Sequence, residues 1–253
     1  MVEPVYSPVV ALAKGGFAAL GLSIDIQGAH NVPESGGAII ASNHIGYLDF
    51  IFAGLGARPS KRFVRFMAKE SIWHSPVAGP LMRGMKHIPV DRDAGAESFR
   101  VALNALRAGE IVGIFPEATI SRSFEIKDFK VGAVRLAQQA GVPVIPCVLW
   151  GTQRIMTKGR PRDISRGKAI SITMGAPISV GRGDDAEVIG NQLHATMAGM
   201  LEDTIARYPQ HPAGPDDSWW MPQRLGGTAP TLAEATRMDR REAIDRARQA
   251  PSP

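Results

Sequence analysis

The chain has 253 residues, of which 44% are hydrophobic and 21% charged, with a formal net charge of +5. That composition suits a folded chain with a substantial core and argues against wholesale disorder. The single cysteine, Cys147, excludes an internal disulfide and a multi-cysteine metal cluster and fits a reducing compartment.

No stretch reaches the ~18 uncharged apolar residues of a spanning helix, and Glu3 and Lys14 make the start a poor signal peptide. Residues 1–30 read as an apolar helix. It either lies in a bilayer interface, with Val9, Val10, Leu12, Phe17 and Leu20 toward lipid, or packs on the core of its own domain. A buried strand follows at 36–42, then a helix at 47–57, a strand at 62–69, a Pro-broken helix at 75–85 and a strand at 86–90. The helix at 95–109 places Phe99, Ala102, Leu103 and Leu106 on one face and ends in Gly109. Next come a strand at 110–115, a helix at 130–141, a strand at 142–151, a later or edge strand at 168–175, and a long helix over 184–207. Short apolar strands alternating with amphipathic helices predict a single α/β domain over 31–208, with a mostly parallel, buried sheet flanked by helices. From about Pro209 the composition turns to Pro and Gly, and 209–253 reads as an extension closing in charged helix or disorder. Trp219 and Trp220 anchor that extension to the body or to a membrane interface.

The charge is uneven. Residues 58–92 hold Arg58, Lys61, Arg62, Arg65, Lys69, Arg83, Lys86 and Arg92 against only Glu70 and Asp91. Such a cluster suits a polyanion, an anionic bilayer or a phosphorylated substrate, or is simply a solvated face.

In open α/β sheets, ligand chemistry gathers at the loops after the strands' carboxyl ends. Three of those loops are unusually polar: "NHIGYLD" after the first strand, "DR" after "HIPV", and "PEATIS" after "IVGIF". His44 and Asp49 are five positions apart, about 500° of helical turn, so a helix would separate them. A bend through Gly46 brings them together, with one imidazole nitrogen held by the carboxylate and the other free to take a proton from a hydroxyl. This is the base-and-orienter half of a catalytic triad. The nucleophile half is absent: there is no G-x-S-x-G, and Cys147 sits mid-strand among apolar residues. The hydroxyl therefore belongs to a substrate. Neither a dinucleotide loop nor a P-loop is present, and with no H-E-x-x-H and six scattered histidines, no catalytic metal is expected.

The segments "NHIGYLD", "HIPVDR", "FPEATIS" and "VPVIPCVLWG", in this order between residues 43 and 151, resemble the four blocks of the glycerolipid acyltransferase family. Its best-known members are the lysophosphatidic acid (1-acylglycerol-3-phosphate) acyltransferases, and "FKVGAVRLA" resembles the helix after the third block. The resemblance implies that His44 deprotonates a glycerol hydroxyl, Asp49 fixes its tautomer, and the alkoxide attacks an acyl thioester, from acyl-CoA or acyl-carrier protein, with no cofactor. It places Asn43, Arg92, Glu117, Thr119 and Ser121 at the substrate, mostly around the acceptor phosphate, with Glu117 holding an arginine or a backbone amide. The family's third block usually reads F-P-E-G-T-R, whereas here Ala118 replaces the glycine and Ile120 the arginine. Either Arg122 or Lys130 supplies the missing cation from a neighbouring turn and Arg92 carries more of the phosphate, or the acceptor differs. Trp150 is a candidate cap for an acyl tunnel.

The implied partners are a lysophospholipid, an acyl thioester and an anionic membrane surface, at the cytoplasmic face of the cell membrane as a peripheral or monotopic protein, with phosphatidic acid as product. Other acceptors keep the same chemistry: glycerol-3-phosphate, another lysophospholipid or a glycolipid hydroxyl. A hydrolase and a non-catalytic basic membrane-binding protein remain as further readings. Nucleic acid is not an expected partner, because the basic stretch lacks interleaved aromatic residues.

Overall fold

The computed structural model of the protein describes residues 3–91 and 95–249. In chain order it runs α1 (Tyr6–Ala19), β1 (Ser23–Gln27), β2 (Ala38–Ser42), α2 (Asp49–Gly56), β3 (Val64–Lys69), α3 (Ala78–Gly84) and β4 (Ile88–Val90). It continues through α4 (Gly95–Arg107), β5 (Ile111–Ile114), α5 (Gly132–Ala140), β6 (Val144–Trp150), β7 (Ala169–Met174), α6 (Ala186–Ala206) and α7 (Leu232–Gln249).

The seven strands form one sheet in the order β1-β7-β6-β2-β5-β3-β4. From β6 to β4 every pairing is parallel; β7 runs antiparallel to β6, and β1 is parallel to β7. The central strands β2 and β6 are buried along their whole length, because helices cover both faces of the sheet. Ile39, Ala41, Val112, Val144 and Val148 face a layer containing Leu106 of α4, Leu136 of α5 and Met197 and Leu201 of α6. Ala38, Ile40, Ile111, Ile145 and Leu149 face α1 and α2 through Phe17, Phe52 and Leu55. Successive strand residues thus serve opposite cores, which explains why these strands read as continuous apolar runs. The α/β class with a mostly parallel, helix-flanked sheet is as expected.

Two expectations need correction, and one open choice is decided. Residues 1–30 contain a strand as well as a helix: β1 pairs with β7 from Ser23↔Ala169 to Gln27↔Thr173. Its five residues alternate exposed and half-buried, a signal too short to stand out beside the apolar helix before it. With β1 outside it, β7 is an interior strand and not an edge. The open choice concerns α1, which packs on the core through Tyr6, Val10, Ala13 and Phe17, a helical i, i+4, i+7, i+11 stripe. Leu12, 78% exposed, is the large apolar residue that points away.

Second, the basic run is not one surface. Arg65 is buried between Glu3 and Glu110, and Arg62 donates to the carbonyls of Pro33, Gly36 and Gly109. Arg58 lies over the Phe63 ring. Lys61, Lys69, Arg83 and Lys86 remain exposed. In the extension, Trp220 is fully buried against Trp150 and Tyr208, so it anchors to the body. Among the described residues no helix is long and apolar enough to cross a membrane.

Candidate active site

β5, β2 and β6 are neighbours in the sheet, and the segments leaving their carboxyl ends carry His44, Glu117 and Thr152. After β2, Asn43 anchors the chain: its amide donates to the Leu149 carbonyl at 3.1 Å and accepts from the Leu149 N–H at 2.7 Å. The chain then bends through Ile45 and Gly46 before α2 begins at Asp49. A Cβ on Gly46 would lie 3.0 Å from the Met156 carbonyl oxygen and 3.2 Å from that of Thr152, so the bend admits no side chain there without displacing backbone.

The bend returns the Asp49 carboxylate to the turn it has just left. Oδ2 accepts from the backbone N–H of Ile45 at 2.6 Å and of Gly46 at 2.7 Å, and stands 3.0 Å from His44 Nδ1. Oδ1 accepts from the Thr152 hydroxyl at 2.5 Å. Asp49 is wholly buried, whereas the His44 side chain is 21% exposed. Four donors on two oxygens suit a group that only accepts. Nδ1 is thereby set as the donor nitrogen, leaving Nε2 as the nitrogen available to a hydroxyl. The imidazole stacks on Phe115, with centroids 4.2 Å apart, which fixes the plane of the ring.

Glu117 supports the same turn from β5. Its two oxygens accept from the N–H of His44 at 2.9 Å and of Lys127 at 3.1 Å. Burial pushes its carboxyl up to about 8, against the pull of those two bonds. Of the two roles expected for it, it holds backbone amides. The Ser121 N–H donates to the His44 carbonyl at 2.7 Å, so the loops after β2 and β5 are pinned to each other on both sides of His44.

Not every residue expected at the substrate is available to it. The Asn43 amide is occupied in the frame described above, and the Ser121 hydroxyl is fully buried, bonded to Ser123 Oγ and the Glu125 carbonyl. The reason is the same for both: each lies where two loops meet and backbone groups need partners. Arg92 lies outside the described residues. Lys130 has an exposed side chain, and its backbone N–H donates to the Pro116 carbonyl. Thr119 is half-buried and accepts from Lys158 Nζ at 3.0 Å. Arg122 pairs with Glu242 at 3.0 Å. Trp150 is fully buried in the core with Tyr208 and Trp220 and caps nothing. Thr152, Lys127 and Lys158 were not foreseen; Thr152 follows directly on "VPVIPCVLWG", which is the one sequence signal it offers. Cys147 is buried, and its thiol is pushed up to about 12 by that burial, so it is no nucleophile. Among the described residues no group of three or more His, Cys, Asp and Glu is placed to hold a metal ion.

The site thus joins a part-exposed histidine to a buried aspartate where three adjacent parallel strands of an α/β fold end, and among the described residues Cys147, the one thiol, takes no part in it. The Acyltransferase family model matches residues 23–150, half of the chain, and the chain belongs to that family. The 1-acyl-sn-glycerol-3-phosphate acyltransferase of Bacillus subtilis is 33% identical over 129 residues, which is 51% of this chain and 63% of that protein. A chloroplastic 1-acyl-sn-glycerol-3-phosphate acyltransferase of Arabidopsis thaliana is 30% identical over 184 residues, 71% of this chain and 49% of that protein. The chain therefore spans between about half and two thirds of the length of these relatives. The crystal structure of the 1-acyl-sn-glycerophosphate acyltransferase PlsC from Thermotoga maritima superposes with a TM-score of 0.69 at 24% identity, covering 81% of each chain, and shares the fold.

Proposed function

We propose that the protein is an O-acyltransferase that moves a fatty acyl group from an acyl thioester, acyl-CoA or acyl-carrier protein, to the hydroxyl of 1-acylglycerol-3-phosphate, forming phosphatidic acid. The observation that carries this reading is the His44 Nδ1–Asp49 Oδ2 contact of 3.0 Å with Nε2 left over. The relatives' names supply the acceptor. Nε2 takes the proton of the acceptor hydroxyl as its oxygen attacks the thioester carbonyl carbon. The tetrahedral intermediate collapses, the C–S bond breaks, and the thiolate leaves with the proton returned by the imidazolium. Asp49 holds the tautomer and stabilises the charged ring while the proton resides there. Direct transfer agrees with the lack of a protein nucleophile at the site.

A bilayer surface is the proposed setting for such an acceptor. In support, Ile72, Val77 and Leu81 around α3 and Leu12 of α1 are exposed apolar residues, and exposed Lys69, Arg83 and Lys86 lie on the same stretch of chain. This combination favours contact with anionic lipid.

The test is a labelled acyl-transfer assay with lysophosphatidate, glycerol-3-phosphate and monoacylglycerol as acceptors. Turnover is expected with lysophosphatidate; none with any of the three would sink the reading. His44→Ala should cost at least about 10²-fold in rate with little change in Tm. Asp49→Asn should lose activity and also about 1–3 kcal/mol of stability, because it leaves buried donors unpaired. Equal unfolding in both variants would reduce the pair to a structural one.

A further inference from the structure

In the usual third block an arginine follows the threonine, and here that position is Ile120, 4% exposed and inside the core. Cations nevertheless gather at this loop. Arg122, Lys127 and Lys158 have side chains 16%, 13% and 15% exposed, and Lys158 bonds Thr119. Each is tied to the histidine turn by a neighbouring backbone or side-chain bond. Ser121, beside Arg122, donates to the His44 carbonyl. Lys127 shares Glu117 with the His44 amide. Thr157, beside Lys158, donates to the Ile45 carbonyl at 2.6 Å.

What these cations hold is a pair of carboxylates from the far end of the chain. Asp239 of α7 meets Lys127 and Lys158, and Glu242 meets Arg122 at 3.0 Å and Lys158 at 3.1 Å. These contacts hold the Glu242 carboxyl below its usual range. The fit is incomplete. Arg122 Nε is buried with no hydrogen bond, and its distance to Asp239 Oδ1 is 3.7 Å, too long for one. Among the described contacts three cations face two carboxylates, whose combined charge is close to that of one phosphate monoester, and such a group also brings three acceptor oxygens and a match for the planar guanidinium fork.

The hold of α7 on the body is chiefly ionic. Ala235 is buried, whereas its large apolar residues Leu232, Met238 and Ile244 are all exposed. A competing anion acts on these ion pairs directly, by taking the place of the two carboxylates at the same three cations.

We propose that Arg122, Lys127 and Lys158, with Thr119, form the pocket for the phosphate of the acceptor, and that Asp239 and Glu242 of α7 occupy it until the acceptor arrives. The inference rests on the acyltransferase reading above for the identity of that acceptor. The helix is then a built-in competitor that acts on acceptor binding and leaves the donor alone.

Two measurements on the full chain decide this. In Asp239→Asn/Glu242→Gln the acceptor KM should fall about five-fold or more, from roughly 1 kcal/mol of lost competition, with the donor KM unchanged. An unchanged or raised acceptor KM would overturn the proposal, because it would make α7 a brace for the cations. Independently, amide hydrogen exchange over residues 232–249 should speed up on adding lysophosphatidate to the wild-type protein and not on adding a monoacylglycerol of the same chain. No response, or the same response to both lipids, overturns it. If no acceptor is turned over at all, the exchange result still decides the pocket, so failure of the transfer reading and failure of this one remain distinct.

Discussion

Residue by residue, the site's buried carboxyls have different jobs. Asp49 points its oxygens at an imidazole, two backbone amides and a hydroxyl; Glu117 points its own at two backbone amides. Glu117 titrates from the usual 4.5 up to about 8, so the folded protein holds that proton over a range in which the unfolded chain has released it. Its contribution to stability is complete below about pH 4.5 and is lost as the pH rises through 8. Glu117→Gln abolishes this titration at the cost of one acceptor, about 1–3 kcal/mol. Urea unfolding should therefore show the wild type ahead of the variant at pH 5 and that lead shrinking by pH 8; a lead that grows with pH would contradict the assignment. His44 and Asp49 were legible in the sequence because they are five residues apart and one tight bend unites them. Thr152 was not, since it reaches Asp49 across 103 residues and a threonine after a strand carries no mark of its partner. Asn43 and Ser121 have side chains bonded to the protein itself, and polar residues in a loop serve substrate or backbone equally well until the neighbouring loop is seen.

At the level of elements, the turn leaving β5 carries local backbone strain. Ala118 has φ +59° and is exposed, a left-handed conformation that costs an L residue about 1–2 kcal/mol. Glycine is what the resemblance leads one to expect there, and the backbone agrees. Ala118→Gly should raise Tm by about 2 °C, the gain being partly offset by the greater freedom of glycine in the unfolded chain. A thermal melt checks it, and a fall in Tm would mean that the methyl group packs in a way its exposure does not suggest. Strands and helices with a strong period were found within a residue or two of their observed ends. β1 was missed, because five alternating residues at a sheet edge make a weaker signal than the fourteen-residue helix beside them.

For the molecule as a whole, the two chain ends close the structure in contrasting ways. At the N-terminus Glu3 pairs with Arg65, a residue only 2% exposed that also contacts Glu110 and donates to the Met85 carbonyl. Tyr6 adds a hydrogen bond of 2.9 Å to the Val64 carbonyl. Glu3→Gln leaves the buried guanidinium short of charge, and urea unfolding should record a loss of about 3 kcal/mol, at the lower end for a broken buried pair because Glu110 remains. A loss below about 0.5 kcal/mol would show that the N-terminal clamp contributes no more than a surface pair. At the C-terminus α7 is held by ion pairs of Asp239 and Glu242 to Arg122, Lys127 and Lys158. The first clamp centres on one buried guanidinium, and the second on a cluster of part-exposed pairs.

The alternation of buried strands with amphipathic helices, the bend at Gly46, and the four polar and apolar blocks were determined by the sequence alone, because each depends on residues within a few positions of one another. Periodicity and turn chemistry are local, and a sheet buried on both faces follows from them. The partners of Arg62, Arg65, Arg122 and Lys158 were decided only by the tertiary structure. Lys158 meets Asp239 across 81 residues and Arg122 meets Glu242 across 120. A charge written in a sequence carries no address, and whether it faces solvent, a carbonyl or a carboxylate is settled only when distant segments pack and the cost of burying it must be met by whatever lies opposite.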